Sequence, residues 1–218
     1  MKTLIFSDTH LTNKPDPKRM ALLKKIINEA DQVIINGDFW EGMFISFDQF
    51  LTSSWQELFP LLKKKNTVYL YGNHDRKKRC DKRVDLFSNH QAESYLLQFG
   101  SKTLLITHGH NLDLSFAKII KILKACRPLL RFLSNTDHFL IKVLGRRYLS
   151  FSRKKYNQEI RAEAKKILKK NQILVCGHTH LVQQNLNKGF INPGCFDFGL
   201  GQYLVVNGNN LSFHDVNY

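Results

Sequence analysis

The stretch TVYLYGNHD at residues 67–75 decides the fold of this chain. Its first five residues are apolar and rich in aromatic and β-branched side chains, which predicts a buried strand. Asn73, His74 and Asp75 follow directly after Gly72, at the carboxyl end of that strand. In open α/β sheets, ligands bind at this end of the strands. Taken alone, the pattern is also typical of a Gly-Asn turn with a hydrogen-bonded histidine.

Four more apolar runs end in residues of the same kind. These runs and their polar ends are residues 3–7 with Asp8 and His10, residues 32–36 with Asp38, residues 103–107 with His108 and His110, and residues 172–176 with His178 and His180. In an extended segment, side chains two residues apart point to the same side, so both members of a pair can reach one metal ion. Five such strand ends together predict a metal site.

The candidate ligands are two carboxylates, one Asn amide and four or five imidazoles, with no thiolate. This set excludes a cysteine-rich tetrahedral zinc site. It suits manganese, iron or zinc in a site of higher coordination number that includes water. Because there are too many ligands for one ion, we expect two divalent ions, with manganese favoured, roughly 4 Å apart and bridged by a carboxylate. Two such ions polarise a phosphate and lower the pKa of a bridging water, which implies hydrolysis of a phosphate ester.

These motifs stand in the order found in the calcineurin-like metallophosphoesterase family, which the sequence resembles over nearly its whole length. The motifs are Asp8-x-His10, Gly37-Asp38, Gly72-Asn73-His74-Asp75, His108 and Gly177-His178-x-His180. The resemblance implies an α/β fold of the α+β type. It implies a four-layer β-sandwich flanked by helices, with a helical insertion and a dinuclear metal centre.

The resemblance also implies a role for each motif residue. The first metal ion would be held by Asp8, His10, Asp38 and His180. The second would be held by Asp38, Asn73, His108 and His178. Asp38 would therefore bridge the two ions. His74 would protonate the leaving-group oxygen or stabilise the transition state, and Asp75 would orient His74 through a hydrogen bond.

Within this family the chain is similar to the UDP-diacylglucosamine pyrophosphohydrolases of lipid A synthesis. The similar features are the size, residues 37–41 (GDFWE) and the long insertion between His108 and His178. Those enzymes have Arg at the position of His74 and Asp at the position of His110, and small phosphodiesterases of the superfamily share the Gly-Asn-His-Asp motif. The resemblance implies a phosphodiester or pyrophosphate substrate that is lipid-linked or a UDP-acylsugar. The alternatives are a nucleotide phosphodiesterase or nuclease, and a non-catalytic binding scaffold.

Four residues near the motifs are candidates for binding the substrate. Trp40 and Glu41 belong to an aromatic loop that is either packed or faces a substrate pocket. Arg76 begins a basic run that is either solvated or attracts the phosphate. His110 either faces the ligand or packs against other polar groups.

The composition describes a chain of 218 residues with 43% hydrophobic content, enough for one domain with a full core. Its four cysteines are scattered singly, which indicates a reducing compartment and no disulfide framework. The first apolar run ends at Asp8, which is too short for a signal peptide. No apolar stretch is long enough to span a membrane. We therefore expect a cytoplasmic protein.

The net charge of +15 belongs mainly to the insertion at about residues 111–170. From Leu112 to Lys170 there are 16 Lys and Arg against 4 Asp and Glu. Three sets of apolar residues at helical spacing predict amphipathic helices there: Leu112, Phe116, Ile119, Ile120 and Leu123; Phe139, Val143 and Leu144; and Ile160, Ala164, Ile167 and Leu168.

Three hypotheses fit this basic insertion. It is a helical cap packed on the sandwich with solvated charges, or a lid that lies on an anionic membrane surface and admits a lipid phosphate. The third hypothesis, a nucleic-acid surface, is less favoured because the insertion lacks an ordered pattern of aromatic residues for stacking.

Earlier in the chain, two helices are predicted. Pro15 and Pro17 lead into the first, and Asp48 is the expected N-cap of a second that continues to about Leu62.

Overall fold

The computed structural model describes residues 1–115, 118 and 127–218. Its strands form two mixed sheets. The first sheet contains β1 (Lys2–Phe6), β2 (Gln32–Asn36), β3 (Val68–Leu70), β4 (His90–Ala92), β10 (Leu200–Asn207) and β11 (Asn210–Asn217), in the order β11-β10-β1-β2-β3-β4. The second contains β5 (Ser94–Phe99), β6 (Lys102–Thr107), β7 (Gln172–Val175), β8 (Gln183–Asn185) and β9 (Phe190–Asn192), in the order β5-β6-β7-β9-β8.

Parallel pairing brings the predicted strand ends together. In the first sheet β1 pairs with β2 and β2 with β3 in parallel, with Thr3 opposite Gln32. In the second sheet β6 pairs with β7 in parallel, with Thr103 opposite Gln172. Within each sheet the carboxyl ends of these strands therefore lie at one edge, as the sequence predicts.

Alternating side chains divide each strand between two cores. Ile5 of β1 packs between the sheets with Leu104 of β6 and Val175 of β7. The neighbouring Leu4 and Phe6 point the other way, into a core beneath the helices that precede β3. The predicted four-layer arrangement, with helices on both sides of a β-sandwich, is confirmed.

The helices on the first sheet are α1 (Pro17–Asn28), α2 (Phe47–Leu51) and α3 (Phe59–Lys64). The prediction of one helix capped by Asp48 is wrong. The N-cap is Ser46, whose hydroxyl accepts a hydrogen bond from the Gln49 amide at 3.2 Å and completes a capping box. The segment then breaks at Ser53, whose hydroxyl donates to the carbonyl of Phe50 at 2.6 Å and so competes with helical hydrogen bonding.

The insertion contributes α4 (Arg127–Leu144) and α5 (Arg146–Ile167). Ile160 and Ala164 of α5 pack against Leu174 of β7 and form the outer layer on the second sheet. The predicted helical positions from Phe139 to Ile167 are confirmed, whereas Leu168 is extended just beyond the end of α5 and Leu112 lies in a turn, so the prediction is wrong for these two. Phe116, Ile119, Ile120 and Leu123 lie outside the described residues. Among the described helices, none is long and apolar enough to cross a membrane.

Candidate metal centre

The strand ends from the two sheets meet at one site. Two groups of predicted ligands have their oxygen and nitrogen atoms within 4.8 Å of one another: Asp8, His10 and His180, and Asp8, Asp38 and His108. Apart from His180, which is half-buried, these side chains are buried. The joint pattern in the sequence therefore corresponds to a real cluster of candidate ligands.

The first group surrounds the Nε2 atom of His10. This atom lies 3.2 Å from Nε2 of His180 and 3.8 Å from Oδ2 of Asp38. Nε2 of His180 lies 3.2 Å from Oδ1 of Asp8. Two nitrogen atoms and two carboxylates thus face one small volume.

The second group surrounds the Nε2 atom of His108. It lies 3.2 Å from Oδ2 of Asp38 and 3.2 Å from Oδ1 of Asn73. On the other side of the ring, Nδ1 donates to the carbonyl of Asn36 at 2.9 Å. This hydrogen bond fixes the ring so that Nε2 faces the other candidate ligands. The carboxylate of Asp38 lies between the two groups.

His178 is held by a residue that sequence analysis missed. Its Nε2 lies 3.4 Å from Oδ2 of Asp113, and both side chains are almost fully buried. Its backbone amide donates to Oδ2 of Asp8 at 3.0 Å. The signal available in the sequence was that Asp113 is one of only four acidic residues in the basic insertion.

Five candidate ligands have left-handed backbone conformations. Their φ angles are 53° at Asp8, 42° at His10, 51° at Asp38, 68° at His178 and 61° at His180. Such conformations cost about 1–3 kcal/mol each in residues other than glycine, and they cluster at functional sites. The turns are tight as well: a Cβ atom on Gly37 would lie 2.5 Å from Nδ1 of His108.

Residues 1–207 match the sequence model of the family described as the calcineurin-like phosphoesterase superfamily domain. The chain belongs to this family. No curated protein matches it. Solved structures similar to this calcineurin-like phosphoesterase include an archaeal phosphodiesterase (17% identity, covering 100% of each chain, TM-score 0.49) and the E. coli phosphoesterase Yfce (17% identity, 100% of each chain, TM-score 0.49). Another is a Vps29 variant from Entamoeba histolytica (12% identity, 100% of this chain and 99% of that chain, TM-score 0.48).

Glu41 of this phosphoesterase lies behind two histidines. One carboxylate oxygen is 2.9 Å from Nδ1 of His10, and the other is 2.7 Å from Nδ1 of His74. Because an ionised carboxylate only accepts, both rings donate from Nδ1. Glu41 was a candidate for binding the substrate. It is buried and its two oxygens contact these rings, and it also lines a cavity beside His10.

Asp75 does not have the predicted role of orienting His74. Its carboxylate accepts hydrogen bonds from three backbone amides, those of Gly72 at 2.7 Å, Asp38 at 3.1 Å and Phe39 at 2.7 Å. These bonds tie the turn after β3 to the turn after β2. The prediction is wrong because the amides of the tight turns compete for this carboxylate, and Glu41 contacts His74 instead.

Trp40, another predicted substrate residue, is part of the core. Its side chain is 1% exposed and stacks on Phe50, with ring centroids 5.8 Å apart and an interplanar angle of 15°. It also contacts Phe47 at 5.3 Å. Of the two interpretations of the aromatic loop, packing is therefore correct for Trp40.

His110 and Arg76 occupy opposite kinds of environment. The ring of His110 lies 5.5 Å from that of His108, and burial together with His108 and His178 lowers its pKa to about 3. The side chain is therefore neutral and stands beside the second ligand group. Arg76 is exposed. Its neighbour Arg79 turns inward and donates to the carbonyls of Gly42 and His74.

The charges of the cluster are balanced between carboxylates and imidazoles. Burial alone would raise the pKa of Asp8, but His180 and His108 lower it to about 2. The pKa of Asp38 is likewise held well below its usual value by His108 and His74, against the effect of burial. Both carboxylates are therefore anionic at neutral pH. Anionic oxygens and imidazole nitrogens are ligands that divalent metal ions take, so the residues present fit such ions.

Proposed function

We propose that this phosphoesterase hydrolyses phosphodiester or pyrophosphate bonds with two divalent metal ions. The observation that carries the proposal is the position of Asp38. Its Oδ2 lies 3.8 Å from Nε2 of His10 and 3.2 Å from Nε2 of His108, so one carboxylate serves both ligand groups. Asp8, His10, Asp38 and His180 would hold one ion, and Asp38, Asn73, His108 and His178 the other.

When bound, the ions neutralise phosphate oxygens and lower the pKa of a water molecule to yield the nucleophile. The protein itself supplies the proton for the leaving group. Nδ1 of His74 donates to Glu41, so Nε2 is the nitrogen available to the substrate. This nitrogen lies 4.0 Å from Oδ2 of Asp38, and the side chain is 20% exposed. Glu41 stabilises the positively charged imidazolium, which can then release a proton from Nε2 to the leaving oxygen.

We propose a lipid-linked substrate such as a UDP-acylsugar, presented at an anionic membrane surface. Support comes from one side of α4, whose exposed apolar residues form what we term the α4 apolar face. Its members share helical spacing: Leu129, Phe132, Phe139 and Val143. Phe132 is 67% exposed and Phe139 is 64% exposed.

The two helices of the insertion also carry exposed basic residues. Lys142 lies on α4, and Arg147 and Lys154 on α5, all three exposed. Phe151 of α5 is 88% exposed among them. Apolar side chains interspersed with cations are typical of helices that lie in the interface of anionic membranes. We place the protein in the cytoplasm, with manganese as the favoured metal.

Vesicle flotation tests the membrane contact. We expect binding to vesicles that contain anionic phosphatidylglycerol, weakened by high salt, and little binding to neutral phosphatidylcholine vesicles. The double variant Phe132→Ser/Phe139→Ser should bind less, while Leu96→Ser, at a 57% exposed residue of β5, provides a control for the loss of an exposed apolar side chain. Absence of binding to anionic vesicles at either salt concentration would refute the membrane proposal.

Hydrolysis of a small panel tests the catalytic proposal. The panel contains a phosphomonoester, bis-p-nitrophenyl phosphate and a UDP-linked acylated sugar, each with manganese or with chelator. We expect chelator-sensitive turnover of the acylated sugar. Turnover of the simple diester alone would instead indicate a general phosphodiesterase. Bound metal with no turnover of any phosphate ester would indicate a binding scaffold, an interpretation against which the complete ligand set argues.

A further inference from the structure

A cavity of about 320 Å³ opens directly from the metal centre. Its lining includes His10, a proposed metal ligand, and Asn135 and His138 of α4. Lys14 and Arg19 also line it, together with the aromatic side chains of Phe44 and Trp55 and acidic side chains that include Glu41 and Asp197. The insertion therefore contributes two residues to the space beside a proposed metal ligand.

Arg19 is fixed at one end of this cavity. Its Nη1 donates to the carbonyl of Thr9 at 2.5 Å, and its Nη2 donates to Oδ1 of Asp197 at 2.5 Å. In the described part of the chain its buried Nε has no hydrogen-bond partner. The guanidinium is thus held rigidly by groups that are themselves part of the fold.

Asn135 and His138 stand three residues apart on α4 and so share one side of the helix. The ring of His138 lies perpendicular to that of Phe198 at a centroid distance of 5.1 Å, which restrains its orientation. An amide and an imidazole both donate and accept hydrogen bonds. This wall is therefore suited to hydroxyl groups, which also donate and accept.

The volume and the lining restrict what the cavity can hold. Ligand pockets in proteins span about 300–1,000 Å³, so this one is near the lower limit. It has room for one ring with its hydroxyl groups and not for a pair of acyl chains. Arg19 and Asp197 already pair with each other, but burying hydrocarbon against Lys14 and Asn135 would take their polar groups out of water, which costs free energy.

We propose that this cavity binds the hydroxylated sugar ring attached to the scissile phosphate, with Asn135 and His138 as its specificity residues. The ring is either the ribose of a nucleotide or a hexose, since both present hydroxyl groups to the same donors and acceptors. Acyl chains of the substrate remain outside, on the α4 apolar face, whose members Phe132 and Phe139 lie three residues before Asn135 and one residue after His138. This inference rests on the proposed hydrolysis and adds that the sugar ring of the substrate, and not its acyl chains, enters the cavity.

The test compares three p-nitrophenyl phosphodiesters with the manganese-loaded enzyme. In each compound the phosphate is esterified with p-nitrophenol and with a second alcohol. The second alcohol is methanol, the 5′-hydroxyl of thymidine or the 6-hydroxyl of glucose. We expect kcat/KM to be at least tenfold higher for one of the sugar esters than for the methyl ester, and the preferred ester distinguishes ribose from hexose. In Asn135→Ala and His138→Ala, this preference should fall at least fivefold, mainly through KM. Thr136→Ala, on the same helix turn, is the matched control and should keep the preference.

Binding in the presence of chelator provides a second readout that does not depend on turnover. Thymidine monophosphate or glucose 6-phosphate, titrated into wild-type protein, should bind more tightly than methyl phosphate, and Asn135→Ala should remove the difference. Equal kcat/KM for all three esters, or a preference unchanged in both variants, would overturn the inference. Failure to hydrolyse any of the three esters would instead count against the proposed function, and the binding difference would still decide whether the cavity takes a sugar.

Discussion

The carboxylate of Glu41 lies 2.7 Å from Nδ1 of His74, while its second oxygen lies 2.9 Å from Nδ1 of His10. One buried acid therefore orients both a candidate metal ligand and the candidate proton donor. Mutation of a residue that orients a metal ligand typically lowers metal affinity or activity by about 10–100-fold, so we expect the loss of Glu41 to have a large effect.

Glu41→Gln should lower kcat by about 10–100-fold, since the amide keeps the shape of the side chain but no longer stabilises a cationic His74. The measurement is kcat on the preferred diester together with the metal content of the purified protein. Glu57→Gln is the matched control, because Glu57 is exposed and pairs with Lys24 at 2.5 Å. Unchanged kcat in Glu41→Gln would show that His74 needs no anionic partner.

Asp38→Ala should abolish hydrolysis and reduce bound metal by at least one ion per chain. The physical reason is that Asp38 contributes to both ligand groups, with Oδ2 3.2 Å from His108 and 3.8 Å from His10. Metal content by mass spectrometry and turnover with excess manganese are the two measurements. Asp31→Ala, which removes an exposed carboxylate, should change neither. An Asp38→Ala protein with full activity would disprove the bridging assignment.

Metal affinity should rise steeply with pH. Burial disfavours the charged form of His10, but its contact with Glu41 prevails and raises the pKa to about 10. Asp38 and Asp8 similarly raise the pKa of His108 to about 9 despite burial. Both imidazoles are therefore protonated at pH 7 in the metal-free protein, and a metal ion must displace these protons.

Below pH 9, each displaced proton increases the apparent affinity by up to about tenfold per pH unit. Calorimetric titration with manganese at pH 7, in buffers of different ionisation enthalpy, measures the number of protons released. We expect between one and two protons for the complete centre. Binding heats that are independent of the buffer would contradict this charge assignment.

The candidate ligands could be predicted from the ends of the strands. The residues that contact these ligands could not. Asp8, Asp38 and His108 each follow an apolar strand, and parallel pairing is sufficient to bring such ends together. The partners of these residues depend on tertiary geometry. Glu41 reaches His74 from a separate loop, and Asp113 reaches His178 across the whole insertion. Both contacts join residues that are far apart in the chain, so no local sequence pattern predicts either of them.

Asp113→Asn tests one of these unforeseen contacts. Removal of the charge that lies 3.4 Å from Nε2 of His178 should weaken binding of the metal ion that His178 would hold by about 10–100-fold. Manganese titration followed by calorimetry measures this directly, and circular dichroism should show an unchanged fold. Glu163→Gln on α5, a half-buried acid paired with Lys166, should bind metal as the wild type does. Wild-type affinity in Asp113→Asn would mean that the carboxylate only fills space.

Trp40→Ala separates packing from substrate binding at the aromatic loop. The indole is 1% exposed and stacks on Phe50, so its removal leaves a cavity and should lower the free energy of unfolding by about 3–5 kcal/mol. Denaturant titration of the metal-free protein measures this loss, and Trp40→Phe should recover much of it because a ring still packs there. If Trp40 faced the substrate instead, the alanine variant would keep its stability and show a raised KM. The expected result is the reverse: a large loss of stability, with KM close to the wild-type value at temperatures where the variant remains folded.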